Sequence, residues 1–530
     1  MIKPMYSFAE LEFSSPLIRD LIAEKSTIKP LVNHFFSEEN LIQAAKNRQF
    51  SQEARITLQN VLQRQNETLN LSIETKNNID RITDENTFTV TTGHQLNLGT
   101  GPLYTIYKIL EVINWAKKVN SQQEDIHMVP VFWMATEDHD FDEINHLHLF
   151  GNKVEWNHAN EKGSIVGRLE TKGMDAFVDE VFAKFGDEQL KGKVQQYLSA
   201  YQKANTLGAS NRMLINEFFG DYGLVIIDGD DQALKKEAVS IFSTEVTSSV
   251  ILNAVNETNE YLSQNDYHQQ VFVRPCNLFY IQPNGVRDRI EREEDDFTIG
   301  TKKLTEDELL EEIKLAPERF SPNALLRPVY QETVLPNLVY VGGGGEIAYW
   351  LQLKSSFEGF EVDFPLLKVR DSVLLMNEKL VDTMNEFGYS LMELKMPLDD
   401  LLKDYMLKNQ GDVLSLASEK EDLVSLKEKL MAKAMSIDAN AERFVEAEFQ
   451  KMENQLDKME KKFMQAEKKN HEKSLKQLSR LKNSIYPNGG FQERYDNIFM
   501  HIQNETIIHD IQQHLFHQMI EQPVIHVINV

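Results

Sequence analysis

A chain of 530 residues with 82 acidic and 56 basic side chains carries a net charge of −26, which repels phosphate backbones and anionic lipid, so neither nucleic acid nor a membrane is an expected partner. Its 41% hydrophobic content can build a sizeable core, and its single cysteine, Cys276, excludes an internal disulfide and a cysteine-rich zinc site. No run of about 18 apolar residues appears, and the opening MIKPMYSFAELEFSS lacks a basic-then-apolar leader, so a cytoplasmic protein is expected.

Residues 1–86 read as a polar helical segment packing on the core, with Ile56, Leu58, Val61, Leu62 and Leu69 at roughly helical spacing. At residue 87 the texture changes. TFTVTT alternates β-branched residues as a strand does, Gly93–Gly101 is a loop, and Pro102 opens the helix PLYTIYKILEVINWAKK at the favoured first-turn position. HMVPVFWMA is then a continuous apolar run of the kind a buried parallel strand uses. Strand, helix and strand form a βαβ unit with a right-handed crossover. GLVIID (223–228), LFYIQ (278–282), NLVYV (337–341) and FPLLKV (364–369) supply further buried-type strands, the last being the final one assigned to the core. Residues 150–222 and 284–336, the latter with the charge cluster RDRIEREEDD, read as insertions, and Thr305 with Glu308 marks a capping box.

Beyond about residue 373 the chain reads as almost entirely helical. Phe449, Met452, Leu456, Met459, Phe463 and Ala466 are spaced as a heptad seam; its phase breaks near Asn470–Lys473 and resumes at Leu475, Leu478 and Leu481. The seam predicts one long helix over 444–483, paired with another helix of the chain or of a second subunit. Pro487-Asn488-Gly489-Gly490 ends it, and 491–530 return to the core, finishing in the strand PVIHVINV.

Three polar clusters follow strands of an open α/β sheet, where such sheets hold their ligands. In TTGHQLNLGTGPLYTIYK, Gly93 permits a turn, His94 and Gln95 project, and Asn97, Tyr104 and Lys108 come next near a helix N-terminus suited to an anion. In FWMATEDHDFDEINH, an uncharged strand runs straight into Glu137, Asp138, His139 and Asp140, which could serve an attacking amine as base and orienter. Alternatively His139, Asp140 and His146 could hold a divalent metal, giving a metal-dependent hydrolase or transferase built on Glu137–Asp140 and His146. In VYVGGGGEIAYW, Gly342, Gly343, Gly344 and Gly345 form a nest of N–H groups, with Glu346 in the first turn beyond. Positive charge for an anion is offered by Lys108, Arg287, Arg327, Lys368 and Arg370, and Cys276 reads as a small buried hydrophobe. His94, Tyr104, Lys108, the 342–345 glycines and Arg370 are expected to line one pocket.

GHQ followed by GPLYTIYK, then FWMATEDHDFDEINH, RPVYQETVLPNLVYVGGGGEIAYWLQLK, PLLKVRDS and IYPNGGFQERYDN resemble, in that order, the BshC family of cysteine-adding enzymes in bacillithiol biosynthesis. The resemblance covers essentially the whole chain. It implies an α/β fold with a Rossmann-like parallel-sheet core at 87–372, carrying connecting insertions, plus an α-helical coiled-coil domain at 373–490 that supports a homodimer. It implies a ligase joining cysteine to the amine of glucosaminyl malate in the last step of bacillithiol synthesis. Gly93-His94-Gln95 matches the HIGH-like segment of class I cysteinyl ligases, which implies nucleotide binding and ATP-dependent activation of a carboxylate. Only the Gly-His element is shared, and Val369-Arg370-Asp371-Ser372 stands where a lysine-rich KMSKS loop would be, so whether ATP is the cosubstrate stays open. With one cysteine, the thiol-holding zinc site of those ligases has no counterpart, and no metal is expected.

Overall fold

The computed structural model describes residues 3–160, 162–294 and 296–530, with side chains throughout except at 410–414. Its contacts divide into two compact units, Lys3–Leu375 with Glu493–Val530, and Met376–Gln492.

Two five-stranded sheets of the larger unit are made from β1 (Thr87–His94), β2 (His127–Met134), β3 (Val225–Asp228), β4 (Leu278–Ile281), β5 (Arg287–Glu293), β6 (Asp296–Ile299), β7 (Lys302–Thr305), β8 (Phe320–Pro322), β9 (Asn337–Gly342) and β10 (Leu366–Val369). Five of them make a parallel sheet in the order β10-β9-β1-β2-β3. Both faces of this sheet are covered, which is why β2 is a nearly uninterrupted apolar run, while the buried threonines of β1 bond to Asn337 and to Val341 O. One cover is helix α1 (Tyr104–Gln122), apolar almost all round its circumference. Of its buried polar side chains, Lys108 meets Glu346 at 2.7 Å, Glu111 accepts from Trp115 Nε1 at 3.0 Å, and Asn114 accepts from Gln512 at 2.5 Å.

LFYIQ does not join that sheet. β4 pairs antiparallel with β5 and β8 in a second five-stranded sheet ordered β7-β6-β5-β4-β8. A short apolar run reads the same in either setting; what decides here is the antiparallel partner two residues past a turn at Pro283–Gly285, with Gln282 N donating to Val286 O. The inserted layer therefore begins before residue 284. β10 is likewise not the last strand: Ser372–Met376 joins Met5–Ser7 and Val524–Asn529 in a three-stranded sheet. The capping box forms as expected, with Thr305 Oγ1 accepting from Glu308 N and Thr305 N donating to Glu308 Oε2. Two shorter helices complete the frame of the site, α2 (Leu326–Val334) and α3 (Gly344–Trp350).

In the helical unit, α4 (Ala417–Met435) and α5 (Ala439–Asn470) form an antiparallel hairpin. Lys420 reaches Asp457 at 2.9 Å and Glu460 at 2.7 Å, while Lys427 reaches Glu446 at 2.7 Å. The expected single helix over 444–483 is interrupted. At His471 the backbone leaves helical geometry, and α6 (Glu472–Ile485) restarts inside the window where the heptad phase breaks. α6 buries Leu475, Leu478, Leu481 and Ile485 against helices Glu378–Phe387 and Leu398–Leu414. Of the seam on α5, Phe449 is buried, whereas Met452, Met459 and Phe463 stay 46–49% exposed. Among the described residues no helix is long and apolar enough to cross a membrane.

The ends of β2 and β3 test this packing. A Cβ at Gly229 would lie 2.3 Å from the Trp133 ring, and Tyr330 OH donates to Gly229 O, so neither neighbour can retreat freely. Gly229→Ala is expected to cost about 1–3 kcal/mol in urea unfolding. Gly345→Ala meets no atom within 4 Å and should be neutral or better. Equal effects at the two positions would contradict the packing.

Candidate active site

In the parallel sheet the chain runs outward from β1 through β2 to β3, then returns to the other side of β1 through β9 and β10. The direction of winding reverses between β1 and β9, and ligands of such sheets bind at the carboxyl ends beside that reversal. A cleft of about 740 Å³ opens there. Gly93, His94, Gln95, Glu137, Asp138, His139 and Glu346 line it, so all three polar clusters reach one cavity.

Its floor is an ionic knot. Lys108 Nζ, projecting from α1, donates to Gly93 O at 2.5 Å and to Glu346 Oε2 at 2.7 Å. Tyr340 OH on β9 donates to the other oxygen, and Gly343 N–H reaches Glu346 Oε2 at 3.4 Å. The glycine run is thus capped by the glutamate three residues on, not left as an open anion nest. The Asn97 amide contacts His94 Nε2 at 3.1 Å, and the Tyr104 ring lies 5.2 Å from the imidazole. Burial, reinforced by the Lys108 charge and opposed by Glu346, lowers the His94 pKa to about 3. His94 is therefore a neutral imidazole at working pH.

Along the rim the EDHD residues divide their labour. Glu137 pairs at 2.7 Å with the fully buried Lys235, which also holds Asp230 at 3.1 Å. Asp138 closes a turn, Oδ1 accepting from His139 N at 2.7 Å and Asp140 N at 3.3 Å, and Oδ2 accepts from Gln95 Nε2 at 2.6 Å. Gln95 also donates to Glu143 at 2.8 Å, which ties the first motif to the second. His139 Nδ1 lies 3.3 Å from Arg287 Nη1, and burial followed by that guanidinium lowers its pKa, so the ring is neutral. Since Nδ1 accepts from arginine, the ring proton sits on Nε2.

The remaining expected residues lie outside the cleft. Asp140 is exposed at the start of the short helix Phe141–Ile144. Arg370 is consumed by Glu493, with contacts at 2.6 and 3.0 Å, and stacks near Tyr104 at 5.6 Å. Lys368 is buried 3.5 Å from Glu111 on the far side of α1. The single expected pocket of His94, Tyr104, Lys108, the glycines and Arg370 is accordingly corrected: His94 faces the cleft, while Lys108 and Arg370 support it from behind because each already has a carboxylate. His146 faces Asn145 and His148, apart from His139. Among the described residues no group of three or more His, Cys, Asp or Glu is arranged to hold a metal ion. Cys276 is buried, and burial pushes its thiol up to about 12.

The opposite wall comes from the second sheet and was largely hidden in the sequence. Phe279 on β4 stands directly across from Arg289 on β5, and Arg287 lies two residues away on the same face. Their guanidiniums ride on the Phe279 ring at 4.1 and 5.0 Å. Arg274, Arg327, Tyr340 and Tyr349 also line the cleft. The available signal was the R-x-R alternation in RDRIER, which puts two arginines on one face of a strand.

Neutral His94 yields a measurement. Its pKa is depressed below the ordinary 6.5, so protonating it costs the folded state, and stability is lost as pH falls from 6.5 towards 3. NMR of the histidine rings should show no His94 titration between pH 5 and 8. Lys108→Gln should move the midpoint upward without restoring 6.5, because burial is the larger cause. An ordinary midpoint in the unaltered protein would contradict the buried site.

With this geometry in place, known proteins supply its context. The family model described as "Bacillithiol biosynthesis BshC, N-terminal Rossmann-like domain" matches residues 5–371, and the one described as "Bacillithiol biosynthesis BshC, C-terminal coiled-coil domain" matches 373–527. Proteins named "Putative cysteine ligase BshC" are similar along most of their length. That of Flavobacterium johnsoniae is 39% identical, covering 84% of this chain and 83% of the relative; that of Christiangramia forsetii is 36% identical, covering 93% and 92%. A third, from Cytophaga hutchinsonii, is 34% identical over 85% of both. The parallel-sheet core with its switch-point cleft and the helical hairpin fall within the two matched domains, and the chain belongs to the BshC family of bacillithiol biosynthesis.

Proposed function

We propose that this chain is an amide-forming ligase that joins the carboxyl of cysteine to the amine of glucosaminyl malate, as the last step of bacillithiol synthesis in the cytoplasm. One observation carries the reading: Asp138, with no lysine or arginine within ion-pairing distance among the described residues, faces a wall of arginines across one cleft. An acceptor that brings an ammonium at one end and carboxylates at the other fits that polarity. The name borne by the relatives, cysteine ligase, agrees with it.

At neutral pH the acceptor amine arrives protonated and must shed a proton before attack. Asp138 is the group placed to take it. Glu137 is committed to Lys235, and the Nδ1 of His139 is engaged by Arg287, leaving an Nε2–H that donates instead of accepting. With that proton on Asp138, the nitrogen bonds to the activated carbonyl carbon, the bond to the leaving oxygen breaks, and the second proton of the amine departs to solvent with the leaving group. ATP, as a substrate, would supply the activation of the carboxylate. With Lys108 and Arg370 paired, the groups left for its phosphates near the switch point are His94, as a neutral donor, and Arg327.

Mass spectrometry of the protein with cysteine, glucosaminyl malate and ATP should show the amide product, lost when any one is omitted. Asp138→Asn should lower kcat by about 10²–10⁴-fold with little change in substrate affinity. Glu137→Gln should act chiefly on thermal stability, through the unpaired Lys235. Near-normal turnover in Asp138→Asn would sink this assignment.

We also infer a homodimer formed through the α4–α5 hairpin. Support comes from the apolar residues left uncovered there, Met452, Met459 and Phe463 on α5 and Leu426 on α4. Light scattering should report a dimer that Met452→Glu with Phe463→Glu converts to a folded monomer. A dimer that survives both changes would contradict the hairpin interface.

A further inference from the structure

We infer that Arg274, Arg287 and Arg289 form a subsite for a doubly anionic group, and that this group is the dicarboxylate end of the amine-bearing substrate. The charge of the ligand is set by the wall alone; its identity rests on the ligase reading.

Arg287 is held in place. Its Nε donates to Ser321 Oγ at 3.0 Å, Nη2 to Pro322 O at 2.5 Å, and Nη1 faces His139, while the Phe279 ring fixes the guanidinium plane. Of its five N–H groups, two remain for a ligand. Arg289 lies over the same ring, and neither its guanidinium nor that of Arg274 has a hydrogen bond or a carboxylate within ion-pairing distance among the described residues. The two repel each other: burial lowers the Arg289 pKa and the Arg274 charge lowers it further.

Elsewhere in the unit, arginines without a carboxylate, such as Arg55 and Arg327, are held by hydrogen bonds to uncharged groups. Arg168, Arg292 and Arg370 in the same unit each have a carboxylate, at 2.8, 3.6 and 2.6 Å. Three guanidiniums gathered with no carboxylate within ion-pairing distance among the described residues, Arg287 and Arg289 partly buried and Arg274 exposed, repel one another, and a ligand of opposite charge relieves that repulsion. A carboxylate pair does so, with a forked geometry that guanidinium planes match.

Position selects the source. The arginine wall faces Asp138 and adjoins His139, so an anion seated there carries the rest of its molecule towards the proton acceptor. A dicarboxylate linked to an amine is satisfied at both ends. A polyphosphate seated on the same arginines carries no ammonium to meet Asp138 and so satisfies only one end of the cleft.

The test uses the full-length protein. Calorimetry would measure binding of malate and of inorganic triphosphate, and steady-state kinetics the KM for glucosaminyl malate and for ATP, in Arg274→Ala, Arg289→Ala and Arg289→Lys. Each alanine variant should raise KM for glucosaminyl malate about 10- to 100-fold and weaken malate correspondingly, with KM for ATP within about twofold. Arg289→Lys should fall between. Unchanged melting temperatures would show that the variants fold. Loss of triphosphate binding and a raised KM for ATP, with malate unaffected, would overturn the inference in favour of a nucleotide site. Unchanged binding of both probes would overturn it outright. Should the unaltered protein form no amide while malate binding still depends on Arg274 and Arg289, the ligase reading fails and the anion subsite stands.

Discussion

Lys108 sits where the winding of the parallel sheet reverses, buried beneath the cleft, and bonds to both halves of it. One donor holds the carbonyl of Gly93 at the end of β1; another holds Glu346, which in turn engages Tyr340 on β9 and the Gly343 N–H. A buried ammonium needs that carboxylate, and removing either partner from such a pair leaves an uncompensated charge, costing about 3–5 kcal/mol. Burial keeps His94 neutral, and the Lys108 charge adds to it while Glu346 opposes it. The shape of the floor and the protonation of its histidine are therefore linked through that pair.

Above that floor the cleft is polarised. Carboxylates come from the segment beyond β2 and from the first turn of α3, whereas guanidiniums come from β5, from the segment before β4 and from α2. Neither sheet alone presents both signs. The insertion between β3 and β9 thus does more than decorate the core: it supplies the wall that a ligand must touch. Gln95, by bridging Asp138 and Glu143, keeps the acidic side rigid without neutralising it.

Much of this was legible from local pattern, because β2 and β9 announce themselves as apolar runs, β1 as an alternation of β-branched residues, and each leads into polar residues or a glycine loop. His94, Glu137, Asp138, His139 and Glu346 could be placed near one another on topology alone. What could not be read was pairing. Lys368 and Arg370 look available in the sequence, yet Glu111 and Glu493, 257 and 123 positions away, already hold them. LFYIQ carries no mark of which sheet it joins, since its partner is set by a turn and by antiparallel register. Arg287 could be named as an anion partner, but its grouping with Arg274 and Arg289 could not, because it depends on the register that sets Phe279 opposite Arg289.

The account's central claim is that one switch-point cleft, closed by the second sheet, receives the substrates. Hydrogen–deuterium exchange on the full-length protein, with and without cysteine and glucosaminyl malate, addresses it directly. The account predicts slowed exchange confined to 93–97, 136–139, 270–289 and 343–349. Protection centred on the α4–α5 hairpin, or at the opposite end of the parallel sheet around His127, with none in those four segments, would contradict it.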